Sequence, residues 1–181
     1  PLQNAQQTPL AEELCRARDL YFDAFNYIKS LMQEKKVGAI EVSRLRGLVS
    51  EIMQSLRRNF NALLLITTIK KTSDYTYRHS INVAVFAIAF SQFLGLDEDE
   101  TFNTGMAGLF HDYGKALLPA TILNAPRRLD ANEMKIMRSH VERGYEKLRS
   151  SGKFPQQVLS AILQHHERHD GSGYPHKLVG D

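Results

Sequence analysis

From Leu10 to about Glu34, apolar residues recur at helical spacing: Leu14, Ala17, Leu20, Tyr21, Ala24, Phe25, Ile28, Leu31 and Met32. That spacing predicts one long amphipathic helix, closed by Val37-Gly38. Cys15 falls inside this stretch and reads as a small core residue. A second helix is expected from about Glu41, on Val42, Leu45, Leu48, Val49, Ile52, Met53 and Leu56, and a third short one from Ala62 to about Lys70. Asp74 or Ser73 is placed to cap a helix running to about Phe93, with Gly95 as its stop. The acidic run Asp97 to Glu100 suits the first turn of the next helix, which should end near His111-Asp112. Gly105, Ala107 and Gly108 give that helix a small-residue face for close packing. Leu117 to Asp130 reads as a loop with a short helical turn. Asp130 or Asn132 then caps a helix carrying Met134, Ile136, Met137, His140 and Val141. Gly152 and Pro155 break the chain before a last helix, Gln157 to about Arg168. No strand pattern and no internal repeat emerge, so the expected class is all-α.

Composition narrows the function classes. Hydrophobic residues at 43% support a real core, and the net charge of +3 argues against binding a nucleic-acid polymer. A basic pocket for a small phosphate ligand is compatible with that charge. The single cysteine permits no internal disulfide and suits a reducing compartment. No signal peptide is visible, and the longest apolar stretch, Ile81 to Leu96, is interrupted by Asn82, Ser91 and Gln92. A cytoplasmic protein with no membrane span is expected. The first residue is proline, so the sequence reads as a piece of a longer chain. The long N-terminal helices suit either an internal bundle or a homodimer.

The chemistry concentrates in a series of histidines: His79, His111-Asp112, His140 and His165-His166. The series closes on Asp170-Gly171-Ser172-Gly173-Tyr174-Pro175. Imidazole mixed with carboxylate suits iron, manganese, zinc or nickel. The spacing is too wide for a zinc finger, so the ligands must converge from separate helices. His140 alone is more simply a satisfied core or surface residue, His79 alone is weak, and His169-Asp170 repeats the dipeptide, whereas the His165-His166 pair, pointing about 100° apart, cannot lie idle on one solvent face. The joint pattern is what points to metal, with each group set among apolar residues where a bare imidazole needs a partner. Lys115, just past Gly114, would swing its ammonium back over such a site, where a cation helps phosphate chemistry.

This pattern, from Tyr75 to Gly180, resembles the HD-GYP family of bacterial phosphodiesterases within the HD metal-dependent phosphohydrolases. The resemblance implies an HD-type helical bundle over 73–181, preceded by a helical extension over 10–72; residues 1–9, polar and irregular, read as a disordered lead or linker. It implies hydrolysis of cyclic di-GMP to pGpG or GMP on two divalent metals, commonly iron or manganese. His79, His111, Asp112, His140, His165 and His166 would be the ligands, with Asp112 bridging and catalytic together with Lys115. Lys115 would contact phosphate, while Gly173, Tyr174 and Pro175 would shape the substrate pocket or a docking surface for diguanylate cyclase domains. Two departures stand out. Tyr75 replaces a glutamate that helps some members hold a third metal, so two metals are expected. A further aspartate ligand is expected downstream of Asp181, which makes the domain C-terminally truncated. The competing readings are an HD hydrolase of dNTPs or (p)ppGpp, a cyclic GMP-AMP phosphodiesterase, and a non-catalytic module that senses cyclic dinucleotides or docks to a cyclase.

Overall fold

The structure is a computed structural model that describes residues 8–34, 40–69 and 74–180. Among these residues the regular structure is helical, apart from one isolated bridge between Asp170 and Val179. The helices are α1 (Leu10–Glu34), α2 (Val42–Arg58), α3 (Phe60–Thr67), α4 (Tyr75–Leu94), α5 (Glu98–Phe110), α6 (Ala120–Leu123), α7 (Ala131–Arg138), α8 (His140–Arg149) and α9 (Gln156–Gln164). A 3₁₀ turn covers Tyr113–Leu117. No helix among the described residues is long and apolar enough to cross a membrane. The described residues form two compact units, one of residues from 8–31 and 40–109, the other of residues from 32–34 and 110–180.

In the first unit the stripes of α1 and α2 bury as their spacing predicts: Ala17, Ala24 and Ile28 on one, Leu45, Val49 and Ile52 on the other. Asn59 caps α3 through a hydrogen bond from the Asn61 amide, which starts that helix two residues before Ala62. The small face of α5 does what small residues allow. A Cβ on Gly108 would lie 2.7 Å from the Ala84 Cα, and one on Gly105 the same distance from Ile88 Cδ1. Only hydrogen fits at Gly108, so α5 lies backbone-close to α4 there, while a side chain at Gly105 would have to displace Ile88. Gly95 closes α4 in the left-handed conformation at φ 74°, with its amide on the Ser91 and Gln92 carbonyls.

Several expectations fail here for definable reasons. Cys15 is exposed rather than core. The α1 stripe runs through Glu13, Ala17, Leu20, Ala24 and Ile28, and position 15 points away from it. Asp74 stands at the N-cap position of α4 but makes no side-chain cap. Its carboxylate instead pairs with Lys29 Nζ at 3.1 Å. Ser73, residues 1–7, Lys70 and the Val37-Gly38 stop lie outside the described residues.

In the second unit, Phe110 packs edge-on against Phe154 at 5.0 Å, and Tyr113, Val141, Leu148, Val158 and Ile162 complete the core. Asp130 caps α7 in a full capping box with Glu133. The helix expected to carry Met134 through Val141 is two helices, α7 and α8, parted at Ser139. The last helix stops at Gln164, four residues short of Arg168, so the His165-His166 doublet lies beyond its end.

Candidate metal centre

The ligand-type side chains of the second unit sit at helix ends, where the backbone can aim adjacent residues in different directions. His111-Asp112 follows the last turn of α5, anchored on either side by the buried rings of Phe110 and Tyr113. The 3₁₀ turn begins at once, with the Lys115 amide donating to the Asp112 carbonyl at 2.9 Å. Gly114 makes this turn meet α8. A Cβ there would overlap the His140 carbonyl and crowd the Gly144 amide. The absence of a side chain therefore lets Asp112 and His140 approach. Lys115, next in the turn, lies with its Nζ 2.7 Å from Asp112 Oδ2.

Asp112 is the centre of the cluster and is 1% exposed. His111 Nε2 is 3.2 Å from its Oδ2, while His140 Nε2 and His165 Nε2 are 3.3 and 3.8 Å from its Oδ1. One ligand atom from each of Asp112, His140, His165 and His166 lies within 4.8 Å of the others. Burial opposes ionisation of Asp112, but the adjacent His111 and His140 rings and the Lys115 charge outweigh it. The carboxyl is held well below its ordinary range. Burial pushes His165 down to about 3 and His166 down to about 4, and neighbouring positive charge adds to both shifts.

The imidazole orientations test whether a cation fits. His140 Nδ1 lies 2.7 Å from the Met137 carbonyl, and His165 Nδ1 lies 2.8 Å from the Ile162 carbonyl. A carbonyl accepts only, so each Nδ1 carries the proton, and a neutral ring presents a bare lone pair at Nε2. Those two Nε2 atoms face each other at 3.4 Å beside the Asp112 carboxylate. Two lone pairs and an anion converging on one point repel unless something positive lies between them. One shared proton satisfies at most one pair of atoms, and burial disfavours the protonated His165. A metal cation satisfies all three donors together, and the donor set of imidazole plus carboxylate suits a transition metal.

The glycine-rich turn is built against the doublet. The Tyr174 amide donates to the His166 carbonyl at 3.2 Å, and its ring stacks on the His166 ring at 4.6 Å and 20°. A Cβ on Gly173 would strike the backbone of His166 to Arg168. Asp170 accepts from the Ser172 amide and hydroxyl, while Pro175 follows Tyr174 in the same turn. Sequence reasoning missed Glu167, whose carboxylate accepts from three successive amides, His176, Lys177 and Leu178. Its place directly after the doublet was the available signal. His79 lies on α4 of the first unit, half-buried, with the Tyr75 ring stacked on it at 5.7 Å.

Comparison with known proteins agrees with this geometry. The profile of the HD domain family matches residues 63–181. The cyclic di-GMP phosphodiesterase PA4108 of Pseudomonas aeruginosa is 36% identical over 171 residues, which are 94% of this chain and 41% of that protein. The 3'3'-cGAMP-specific phosphodiesterase 2 of Vibrio cholerae is 38% identical over 72% of this chain and 26% of its own length. The response regulator RpfG of Xanthomonas campestris, a cyclic di-GMP phosphodiesterase, is 45% identical over 49% of this chain and 24% of its own. The chain thus spans less than half the length of these relatives. Among solved structures, Bd1817, a HDG"Y"P protein from Bdellovibrio bacteriovorus, shares the fold at a TM-score of 0.75 and 20% identity, over 98% of this chain and 57% of that one. With the family profile covering most of its length and His140, His165 and His166 gathered around Asp112, the chain belongs to the HD domain family, in its HD-GYP branch.

Proposed function

We propose that the protein is a metal-dependent phosphodiesterase that opens a cyclic dinucleotide, cyclic di-GMP foremost, giving pGpG, GMP or both. The observation that carries this reading is the convergence of the His140 and His165 Nε2 atoms on the Asp112 carboxylate. The relatives named for cyclic dinucleotides support the substrate class. His111, Asp112, His140, His165 and His166 would hold two divalent ions, iron or manganese, with Asp112 shared between them. His79 joins this set on the strength of the sequence resemblance. Such ions, when bound, supply an acidified water and withdraw charge from the phosphate. Lys115 offsets the negative charge that grows on the phosphate oxygens, and the short contact with Asp112 holds its ammonium in place. Gly173, Tyr174 and Pro175 form a wall beside the histidine doublet, on which a nucleobase or a cyclase domain would rest.

Within this proposal, residues 73–181 form the catalytic domain, 10–72 are a helical extension suited to homodimer formation, and the protein works in the cytoplasm. The test is direct. The protein loaded with Mn(II) or Fe(II) should cleave cyclic di-GMP, and Asp112→Ala should lose bound metal and activity together. Lys115→Ala should keep the metal and lower kcat by about 10²–10³-fold. Full turnover by Asp112→Ala at normal metal content would overturn the reading. A second substrate, 3'3'-cGAMP, is favoured by the Vibrio cholerae relative, and the ratio of kcat/KM on the two dinucleotides decides between them. Stoichiometric binding with no cleavage of either would favour a sensing or docking module.

A further inference from the structure

One arginine beside the cluster is left without an acceptor. In the second unit, Arg127 pairs with Glu133, Arg143 donates to Ser139 Oγ, and Arg168 lies 3.8 Å from Asp170. The exposed Arg138 has no hydrogen bond or ion pair among the described residues. Its guanidinium carbon lies over the Tyr174 ring, 5.1 Å from the centroid. Tyr174 in turn stacks on His166 at 4.6 Å. Arg138 also follows Met137, whose carbonyl fixes the His140 ring. It is therefore tied to the cluster twice, by the chain next to His140 and by the aromatic stack on His166.

A guanidinium seated over an aromatic ring is steadied there while its N–H donors stay available. That arrangement suits a bidentate bond to a phosphate, and the ring lowers the entropy lost on binding. A cyclic dinucleotide carries two phosphodiesters, and only one can sit at the Asp112 cluster with Lys115. We propose that Arg138 binds the second phosphodiester, the one not being cleaved. This rests on the cyclic-dinucleotide reading above, and it makes Arg138 a determinant of substrate class: it selects dinucleotides over simple phosphodiesters.

The experiment compares wild type, Arg138→Ala and Arg138→Lys on two substrates, cyclic di-GMP and bis(p-nitrophenyl) phosphate, which has a single phosphodiester. Arg138→Ala should raise KM for cyclic di-GMP by about 10–100-fold, as expected for losing a charge-assisted hydrogen bond, with kcat within about threefold. The loss in kcat/KM should be at least about tenfold larger on cyclic di-GMP than on the small diester. Metal content should match wild type, and Arg138→Lys should recover part of KM, since it restores charge without the fork. Equal losses on both substrates, or loss of metal, would mean that Arg138 only holds Tyr174 against His166, and the assignment would fall. It would fall equally if wild type cleaves cyclic di-GMP and Arg138→Ala does so unchanged. A wild type that cleaves the small diester but neither binds nor cleaves cyclic di-GMP would instead remove the substrate reading, and Arg138's role with it.

Discussion

Each unit buries a carboxylate, and the two are finished in opposite ways. In the first, Glu13 is 0% exposed; it accepts from Ser55 Oγ at 2.7 Å and from Arg58 Nε and Nη2 at 2.8 Å each. Burial opposes its ionisation, yet the Arg58 and Ser55 hydrogen bonds prevail and hold its carboxyl below the usual range. Both carboxylate oxygens there meet a donor. In the second unit Asp112 is as deeply buried, but three imidazole Nε2 atoms face it, and two of those belong to rings whose protons are already spent on carbonyls. A closed network of donors and acceptors is structure. A network in which acceptors face acceptors has room for a cation, and that difference separates a scaffold charge from a reactive one.

The largest expected effects come from breaking one member of each network. His140→Ala should abolish metal binding and lower phosphodiesterase activity by at least about 10³-fold, while thermal unfolding of the metal-free protein shifts little. Glu13→Ala should do the reverse. It strands Arg58 beside a buried void and should cost about 3 kcal/mol in urea unfolding, the low end for a broken buried pair because Arg58 is part-exposed. Metal stoichiometry should be unchanged in whatever fraction stays folded. If Glu13→Ala lost metal, or His140→Ala unfolded the chain, the division into structural and reactive carboxylates would not hold.

Acid sharpens the same contrast. His165 and His166 are held neutral by burial, at about 3 and about 4. The unfolded chain binds their protons first, near pH 6.5, so the stability they contribute is complete above that value and is lost as pH falls from 6.5 toward 4 and 3. Each can add a slope of up to about 1.4 kcal/mol per pH unit in the metal-free protein. Glu13, with its pKa lowered, contributes stability that is present above about 4.5 and is lost only below it. Urea midpoints of the metal-free protein should therefore begin to fall below pH 6.5 and fall more steeply below about 4.5, and Glu13→Gln should lessen the added steepness without changing the fall above it. A flat profile between pH 6.5 and 4.5 would reject buried neutral rings at the centre.

Much of this was legible in the sequence where the signal is local. The stripes of α1 and α2, the Asp130–Glu133 capping box and the Gly95 stop depend on residues within a turn or two of one another. The histidine series was legible as chemistry because its residue types are uncommon together. What escaped depends on partners distant in sequence. Arg58 is 45 residues from Glu13, and Arg138 reaches Tyr174 across a similar span. The helix break at Ser139 escaped because nothing in Arg138-Ser139-His140 forbids a continuous helix. The break follows from packing, since α8 must bring its backbone against Gly114. The same packing puts the ligands at helix ends rather than along helix faces.

The smallest expected effect concerns the residue that the hydrophobic stripe misplaced. Position 15 lies two residues from Glu13 and two from Ala17, each step turning about 100°, so it faces roughly opposite the buried row. A glutamate interrupting an apolar stripe reads as solvated, and the eye then moves the core onto Leu14 and Cys15. The structure places Glu13 on the stripe, and Cys15 follows it outward. Cys15→Ser should therefore change unfolding free energy by no more than about 0.5 kcal/mol, as for other surface changes. In the native protein the thiol should react with an aromatic disulfide reagent as fast as it does after unfolding. A thiol protected until the protein unfolds would return Cys15 to the core, and the buried Glu13 network would lose the helix rotation it requires.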